Sequence, residues 1–146
     1  MRVRDEGAWR EVTKSRVYAE GAWRDINEVQ TYEDNAWRIA AEFVDPLSVT
    51  ITPSQASGSD FGTGFVITSI VTAIPEGGRG PFSYEWSFVS GFQGAITSRL
   101  TASTAFSLFL PQGANASAVY RCTVTDNLGS VASADVSAFF ESNFPN

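Results

Sequence analysis

Histidine is absent from this 146-residue sequence, and cysteine and methionine each occur once. Without histidine there is no serine–histidine or cysteine–histidine nucleophile pair, and nearly all zinc chemistry is excluded as well. Because Cys122 is the sole cysteine, no disulfide can form within the chain, which fits synthesis in a reducing compartment. These absences remove the commonest nucleophilic and zinc-dependent active sites.

Long apolar runs and basic stripes are also missing. No run of about 18 apolar residues is present, so we expect no membrane insertion. The first six residues contain no apolar core, so we expect no Sec signal peptide. Synthesis and folding in a cytoplasm, or export by a route that the sequence does not reveal, would fit this start. The net charge of −6 and a pI near 4.5 argue against nucleic acid and anionic membranes as partners.

No arrangement of residues indicates catalysis or cofactor binding. The glycine-rich stretch 77–80 lies between two predicted strands, whereas a phosphate loop opens a helix. No calcium loop of alternating acids occurs. Nothing in the sequence brings two carboxylates into the defined pair that glycoside hydrolysis needs. The candidates are Asp60, Glu76, Glu85, Asp126 and Asp135. We therefore predict no enzyme, no cofactor and no metal site.

What the sequence does contain is a strict repeat in its first 42 residues. Gly-Ala-Trp-Arg at 7–10 returns at 21–24, and Asn-Ala-Trp-Arg follows at 35–38, with one Trp every 14 residues. An acidic residue precedes each copy. Since one short repeat rarely buries its own apolar face, such a period indicates a segment that packs on something else.

Each copy is typical of a β-hairpin. Gly or Asn at the second turn position suits the positive φ of a two-residue turn. The predicted cross-strand pairs are Arg4 with Trp9, Tyr18 with Trp23, and Tyr32 with Trp37. Residues 14–15 and 28–29 would then connect one hairpin to the next.

A module of about 42 residues without disulfide or metal is near the size at which a lone core fails. An arginine follows each Trp, so the opposite face is charged. We expect the module to dock on another protein or to oligomerise; the alternative is an independent six-stranded meander with a Trp core. The predicted interface residues are Trp9, Arg10, Trp23, Arg24, Trp37, Arg38, Tyr18 and Tyr32.

The pattern changes after the repeats. Residues 1–42 carry sixteen charged side chains, whereas residues 43–146 carry only ten. Seven β-rich stretches in about 100 residues match the size of an immunoglobulin-like sandwich. They are 47–52, 65–74, 82–88, a weaker one at 95–100, 105–110, 118–124 and 130–139. The predicted fold class is all-β: hairpin repeats at 1–42, a sandwich at 45–141 and a C-terminal tail at 142–146.

The stretch 120–129, Tyr-Arg-Cys-Thr-Val-Thr-Asp-Asn-Leu-Gly, resembles strand F and the F–G turn of immunoglobulin-like and PKD-like domains. The resemblance implies a structural core in which Tyr120 is a tyrosine corner and Trp86 is the buried Trp of strand C. Residues 69–72, at the strand B position, hold no cysteine. We therefore expect Cys122 to be a free, buried thiol near Trp86.

Phenylalanine is too abundant for a single sandwich core. Because consecutive strand residues point to opposite faces, one of Phe139 and Phe140 must face outward. An exposed aromatic patch of this kind marks an interface more often than a ligand pocket. The candidates are Phe88, Phe92, Phe106, Phe109, Phe139, Phe140 and Phe144.

Tandem Gly-Ala-Trp-Arg hairpins joined to an immunoglobulin-like domain resemble small structural proteins of tailed bacteriophages, such as tail-tip, tail-fibre or other appendage components. The resemblance implies a virion protein made in the host cytoplasm. Its repeats would anchor it to another virion protein, a trimeric fibre or tail hub, or would form a homotrimer. The second domain would project outward and contact cell-surface glycans during host attachment.

Two alternatives stay open at this point. One is a carbohydrate-binding adhesin or enzyme accessory module of a bacterium. The other is a capsid decoration protein, which shares the sandwich but attaches to the head. The sequence does not separate head from tail.

Overall fold

The computed structural model describes residues 2–5, 8–11, 16–19, 22–25, 28–33, 36–42 and 44–144. The chain divides into two compact units, Met1–Asp45 and Pro46–Asn146. All the regular secondary structure in the described residues is β-strand. The predicted all-β class is therefore confirmed.

The first unit consists of three antiparallel hairpins, each a two-stranded sheet of its own. The strands are β1 (Arg2–Asp5), β2 (Ala8–Glu11), β3 (Arg16–Ala19), β4 (Ala22–Asp25), β5 (Glu28–Glu33) and β6 (Ala36–Glu42). Across the described part of this unit no ladder joins one hairpin to the next. The six-stranded meander is therefore not the arrangement seen here.

The register of the three hairpins is equivalent. The Cα partners include Arg4 with Trp9, Tyr18 with Trp23, and Tyr32 with Trp37, as the turn chemistry predicted. The prediction that residues 28–29 form a connector is wrong, because both belong to β5. The β-branched side chains of Val29 and Thr31 favour extended backbone there. The connector predicted at 14–15 lies outside the described residues.

The second unit contains ten strands where seven were predicted. They are β7 (Ser48–Thr52), β8 (Gln55–Phe61), β9 (Gly64–Ile67), β10 (Val71–Glu76), β11 (Ser83–Gly91), β12 (Ala95–Ile96), β13 (Ser103–Thr104), β14 (Phe106–Leu110), β15 (Asn115–Thr125) and β16 (Val131–Asn143). Strands β8 and β13 lie outside the predicted stretches, and the predicted stretch 65–74 is divided between β9 and β10.

The first layer of this unit combines two three-stranded sheets, β12-β14-β9 and β13-β10-β7. Ile67 pairs with Ser107 and Val71 with Thr104, so residues 68–70 form an irregularity with one extra residue on that side. The Thr68 N–H donates to the Phe106 carbonyl at 2.9 Å within it. The stretch that contains β9 and β10 therefore runs beside the stretch that contains β13 and β14 through both sheets.

The second layer is the four-stranded sheet β11-β15-β16-β8. Strand β15 pairs antiparallel with β11 and β16, whereas β8 joins the outer side of β16 in parallel. The neighbouring strands β7 and β8 therefore belong to different layers. This crossing places β8 at the edge of the second sheet.

The core lies between the two layers and is built on aromatic rings. Phe106 from β14 stacks on Tyr120 from β15 with ring centroids 3.9 Å apart, and Trp86 meets Phe106 edge-on at 5.9 Å. The Trp86 indole N–H donates to the Thr101 carbonyl at 2.9 Å. Cys122 is a free, buried thiol whose Cα partner on β11 is Trp86.

The end of the chain departs from the predicted tail at 142–146. Strand β16 continues through Asn143, and Ser142 is buried. The Ser142 N–H donates to the Ala114 carbonyl at 2.8 Å, and its hydroxyl donates to the Gly62 carbonyl. These bonds satisfy its polar groups, so an inward-facing serine can extend the strand.

Candidate functional site

The predicted anchoring residues occupy equivalent backbone positions in three strands. Trp9, Trp23 and Trp37 are each the second residue of their strand. Arg10, Arg24 and Arg38 come third, and Tyr18 and Tyr32 are Cα partners of the second and third Trp. The structure thus places all eight residues on paired strands in the first unit.

The candidate carboxylates Asp126, Glu85 and Asp135 have different surroundings. Asp126 is buried in the turn between β15 and β16, and Glu85 is exposed on β11. Asp135 forms two hydrogen bonds with the Arg121 guanidinium, at 2.7 and 2.9 Å. In the part of the chain that the structure describes, no group of three His, Cys, Asp or Glu side chains could hold a metal ion.

Asp126 joins two loops. Its carboxylate accepts N–H bonds from Arg79 at 3.1 Å, Leu128 at 2.9 Å and Ser130 at 2.7 Å, and the Asn127 N–H donates to the Arg79 carbonyl. Burial raises the pKa of this carboxyl, but the hydrogen bonds outweigh it and lower the pKa below its usual value. Its position in a turn was predicted from sequence; the bond to Arg79, which is 47 residues away, was not.

The first layer presents an aromatic pair to solvent. Phe65 and Phe109 are Cα partners on β9 and β14, with ring centroids 5.4 Å apart in an edge-to-face arrangement. They are 65% and 54% exposed. Alternation along the strand explains this, because Val66 and Leu110 next to them point into the core.

A shallow groove of about 360 Å³ lies in the same layer. It is lined by Ile67, Thr68, Ile70, Thr97, Ser98, Ser103, Thr104 and Ala105. The Thr68 hydroxyl donates to the Ser69 carbonyl and accepts the Phe106 N–H, and Thr104 accepts the Ser98 N–H. Because these hydroxyls bond within the protein, the groove offers a ligand mainly apolar surface.

A second hollow, of about 250 Å³, lies on the outer face of the second layer. Its lining residues are Ser57, Gly58, Ser59, Phe139 and Glu141. Phe139 is 38% exposed, whereas Phe140 is fully buried, so the outward-facing member of the pair is Phe139. This hollow combines an aromatic ring with hydroxyls and a carboxylate, and the apolar groove does not.

The other predicted aromatics divide between core and surface. Phe106 is buried and Phe88 is half-buried against Tyr120, whereas Phe92 and Phe144 are exposed. Phe61 and Phe65 are exposed as well and were not singled out from the sequence. The alternation of Phe65 with buried Val66 was the signal that could have identified it.

Comparisons with known proteins add no assignment to these surfaces. No known protein family matches the chain, and a search of curated proteins finds no significant relative. Among the described residues, no helix is long and apolar enough to cross a membrane.

Proposed function

We propose that this chain is a non-enzymatic structural component of a phage virion, in the tail tip, a tail fibre or another appendage. Residues 1–42 dock on another virion protein. Residues 45–141 form an immunoglobulin-like domain that is displayed outward, where it binds the host surface weakly. The protein is made in the host cytoplasm and assembled into the particle.

The threefold equivalence of the hairpins carries this proposal. Three two-stranded sheets place a Trp at the same position and in the same register. An isolated two-stranded hairpin is marginally stable in water, so each gains most by packing on a larger body. Three equivalent units suit a partner with threefold symmetry, such as a trimeric fibre or tail hub, or a homotrimer of this chain.

The strand pairing supports an immunoglobulin-like second domain. Strands β7, β10 and β13–β14 follow the A-B-E order of that fold, with β12 at the D position, and β11, β15 and β16 follow C-F-G. Trp86 and Cys122 are Cα partners on β11 and β15, the strands that would correspond to C and F.

Two features of the second domain depart from the family. Residues 69–72, at the strand B position, hold no cysteine, and Val71 among them is buried in the core. The Tyr120 hydroxyl accepts the N–H of Gly94, which is 26 residues upstream, whereas a tyrosine-corner hydroxyl bonds to backbone only a few residues upstream. The second domain thus lacks the family's disulfide and its usual tyrosine-corner bond. The immunoglobulin-like assignment is supported by its strand order and by the buried Trp86, Tyr120 and Cys122.

The side chains that could act in catalysis support a non-enzymatic role, because each type is absent, engaged in structural bonds or unreactive. The sequence has no histidine, Asp126 and Asp135 are engaged by structural partners, and burial raises the pKa of the Cys122 thiol to about 11. A thiol with such a high pKa carries little of the nucleophilic thiolate at neutral pH.

The test is incorporation of Trp23→Ala into particles of the phage that encodes the chain. We expect incorporation to be lost while the second unit keeps its thermal transition. The matched control is Phe109→Ala, an exposed aromatic in the second unit, which should incorporate normally. Normal incorporation of Trp23→Ala would refute the anchoring role. A chain exported by a bacterium and absent from particles would favour the adhesin alternative.

A further inference from the structure

Phe139 occupies a distinctive place on the outer face of the second layer. Its Cα partners are Ser117 on β15 and Ser57 on β8, so small hydroxyl side chains flank the ring on both sides. Glu141, two residues further along β16, stands on the same face opposite Asn115 and Ser59. One exposed ring thus lies among short polar groups.

The floor of the hollow is backbone. A side chain at Gly58 would collide with the Ile67 carbonyl, so only glycine lets β8 lie this close to the end of β9. Gly58 is the Cα partner of buried Phe140, so this close approach is on the inner face of β8. On the outer face the hollow is bounded by the ring of Phe139 and by Glu141.

The polar groups around the hollow are available to a ligand. Within the described residues, the side-chain oxygens of Ser57, Ser59 and Glu141 make no hydrogen bond, in contrast to the satisfied hydroxyls of the apolar groove. A ligand that covered them without bonding would leave buried polar groups unpaired, which is costly. An apolar protein side chain is therefore a poor occupant.

The charges on this face further narrow the class of ligand that the hollow can bind. The carboxylate of Glu141 repels an anion. The cation on the same face of β15, Arg121, is held by two hydrogen bonds to Asp135, four residues before Phe139 on β16. A phosphate, or an acidic sugar bound through its carboxylate, would find no free cation on this face in the part of the chain that is described.

We propose that this hollow binds a neutral saccharide ring. The apolar face of the sugar packs on Phe139, and its hydroxyls donate to the Glu141 carboxylate and exchange hydrogen bonds with Ser57 and Ser59. A sugar ring has one C–H face and a polar rim, which is the same combination that the hollow presents. The inference deepens the proposed host-surface contact and rests on that function.

The experiment is a titration of the full-length chain with neutral oligosaccharides ending in glucose, galactose or N-acetylglucosamine, alongside sialic-acid-terminated ones. Binding is measured by a glycan array and then by saturation-transfer NMR. We expect millimolar binding to at least one neutral probe, with affinity gained in the particle from many copies. Phe139→Ala should weaken it more than about tenfold, and Glu141→Gln roughly tenfold.

Phe109→Ala is the matched control, because it removes an exposed ring from the other layer; its affinity should be unchanged. If Phe139→Ala does not fold, the result for Glu141→Gln decides, since this substitution changes only an exposed side chain and leaves the core intact. Failure of every neutral probe to bind, preference for the acidic probes, or full affinity in Glu141→Gln would overturn the proposal. Trp23→Ala should keep full saccharide binding. A failure of the saccharide proposal can therefore be told apart from a failure of the docking proposal.

Discussion

Phe106 lies flat against Tyr120, with ring centroids 3.9 Å apart and planes within 6° of parallel. One ring comes from β14 in the first layer and the other from β15 in the second, so this stack joins the two sheets directly. The Tyr120 hydroxyl also accepts the Gly94 N–H at 3.1 Å. The pair therefore ties both layers and the segment before β12 into one core.

Phe106→Ala should lower the free energy of unfolding of the second unit by about 3–5 kcal/mol, because it opens a cavity at the centre of the core. The measurement is urea denaturation followed by tryptophan fluorescence. Phe109→Ala, three residues along the same strand but exposed, should cost less than about 1 kcal/mol. Equal losses for the two variants would contradict the assignment of Phe106 to the core.

Asp126→Asn should destabilise the second unit most at neutral pH. The folded-state pKa of this carboxyl lies below its ordinary value of 3.8, so its contribution is present above that value and is lost as pH falls through the folded pKa. Thermal unfolding at several pH values should show the gap between wild type and variant closing on acidification. Glu85→Gln, which changes an exposed side chain on β11, is the control and should unfold close to the wild-type temperature at neutral pH.

Cys122 should be protected from thiol reagents in the folded protein. Burial raises its pKa to about 11, and the side chain has no exposed surface. Labelling with a chromogenic disulfide reagent should be at least about a hundredfold slower than in urea, since it requires opening of the core. Rapid labelling of the folded chain would show that the thiol is accessible.

Local patterns predicted the parts of the fold that depend on nearest neighbours in sequence. The turn residues and the 14-residue period predicted the hairpin register that pairs Trp23 with Tyr18. Alternation predicted that only one of Phe139 and Phe140 would point outward. The prediction of a buried, unpaired Cys122 near Trp86 agrees with the structure.

The parts of the fold that local patterns did not predict depend on contacts between segments that are distant in sequence. Strand β8 contains Gly58, two serines and Asp60, a composition typical of a loop, and it is a strand because it pairs with β16. The hollow beside Phe139 exists only through that pairing. No local signal in residues 55–61 could have predicted it.

Hydrogen exchange of residues 1–42 tests the central claim most directly. Backbone amides of the three hairpins should be at least about tenfold better protected in purified particles than in the free chain, while amides of residues 46–144 exchange equally in both. Equal protection of the hairpins in the two samples would contradict the claim that they dock on a larger body.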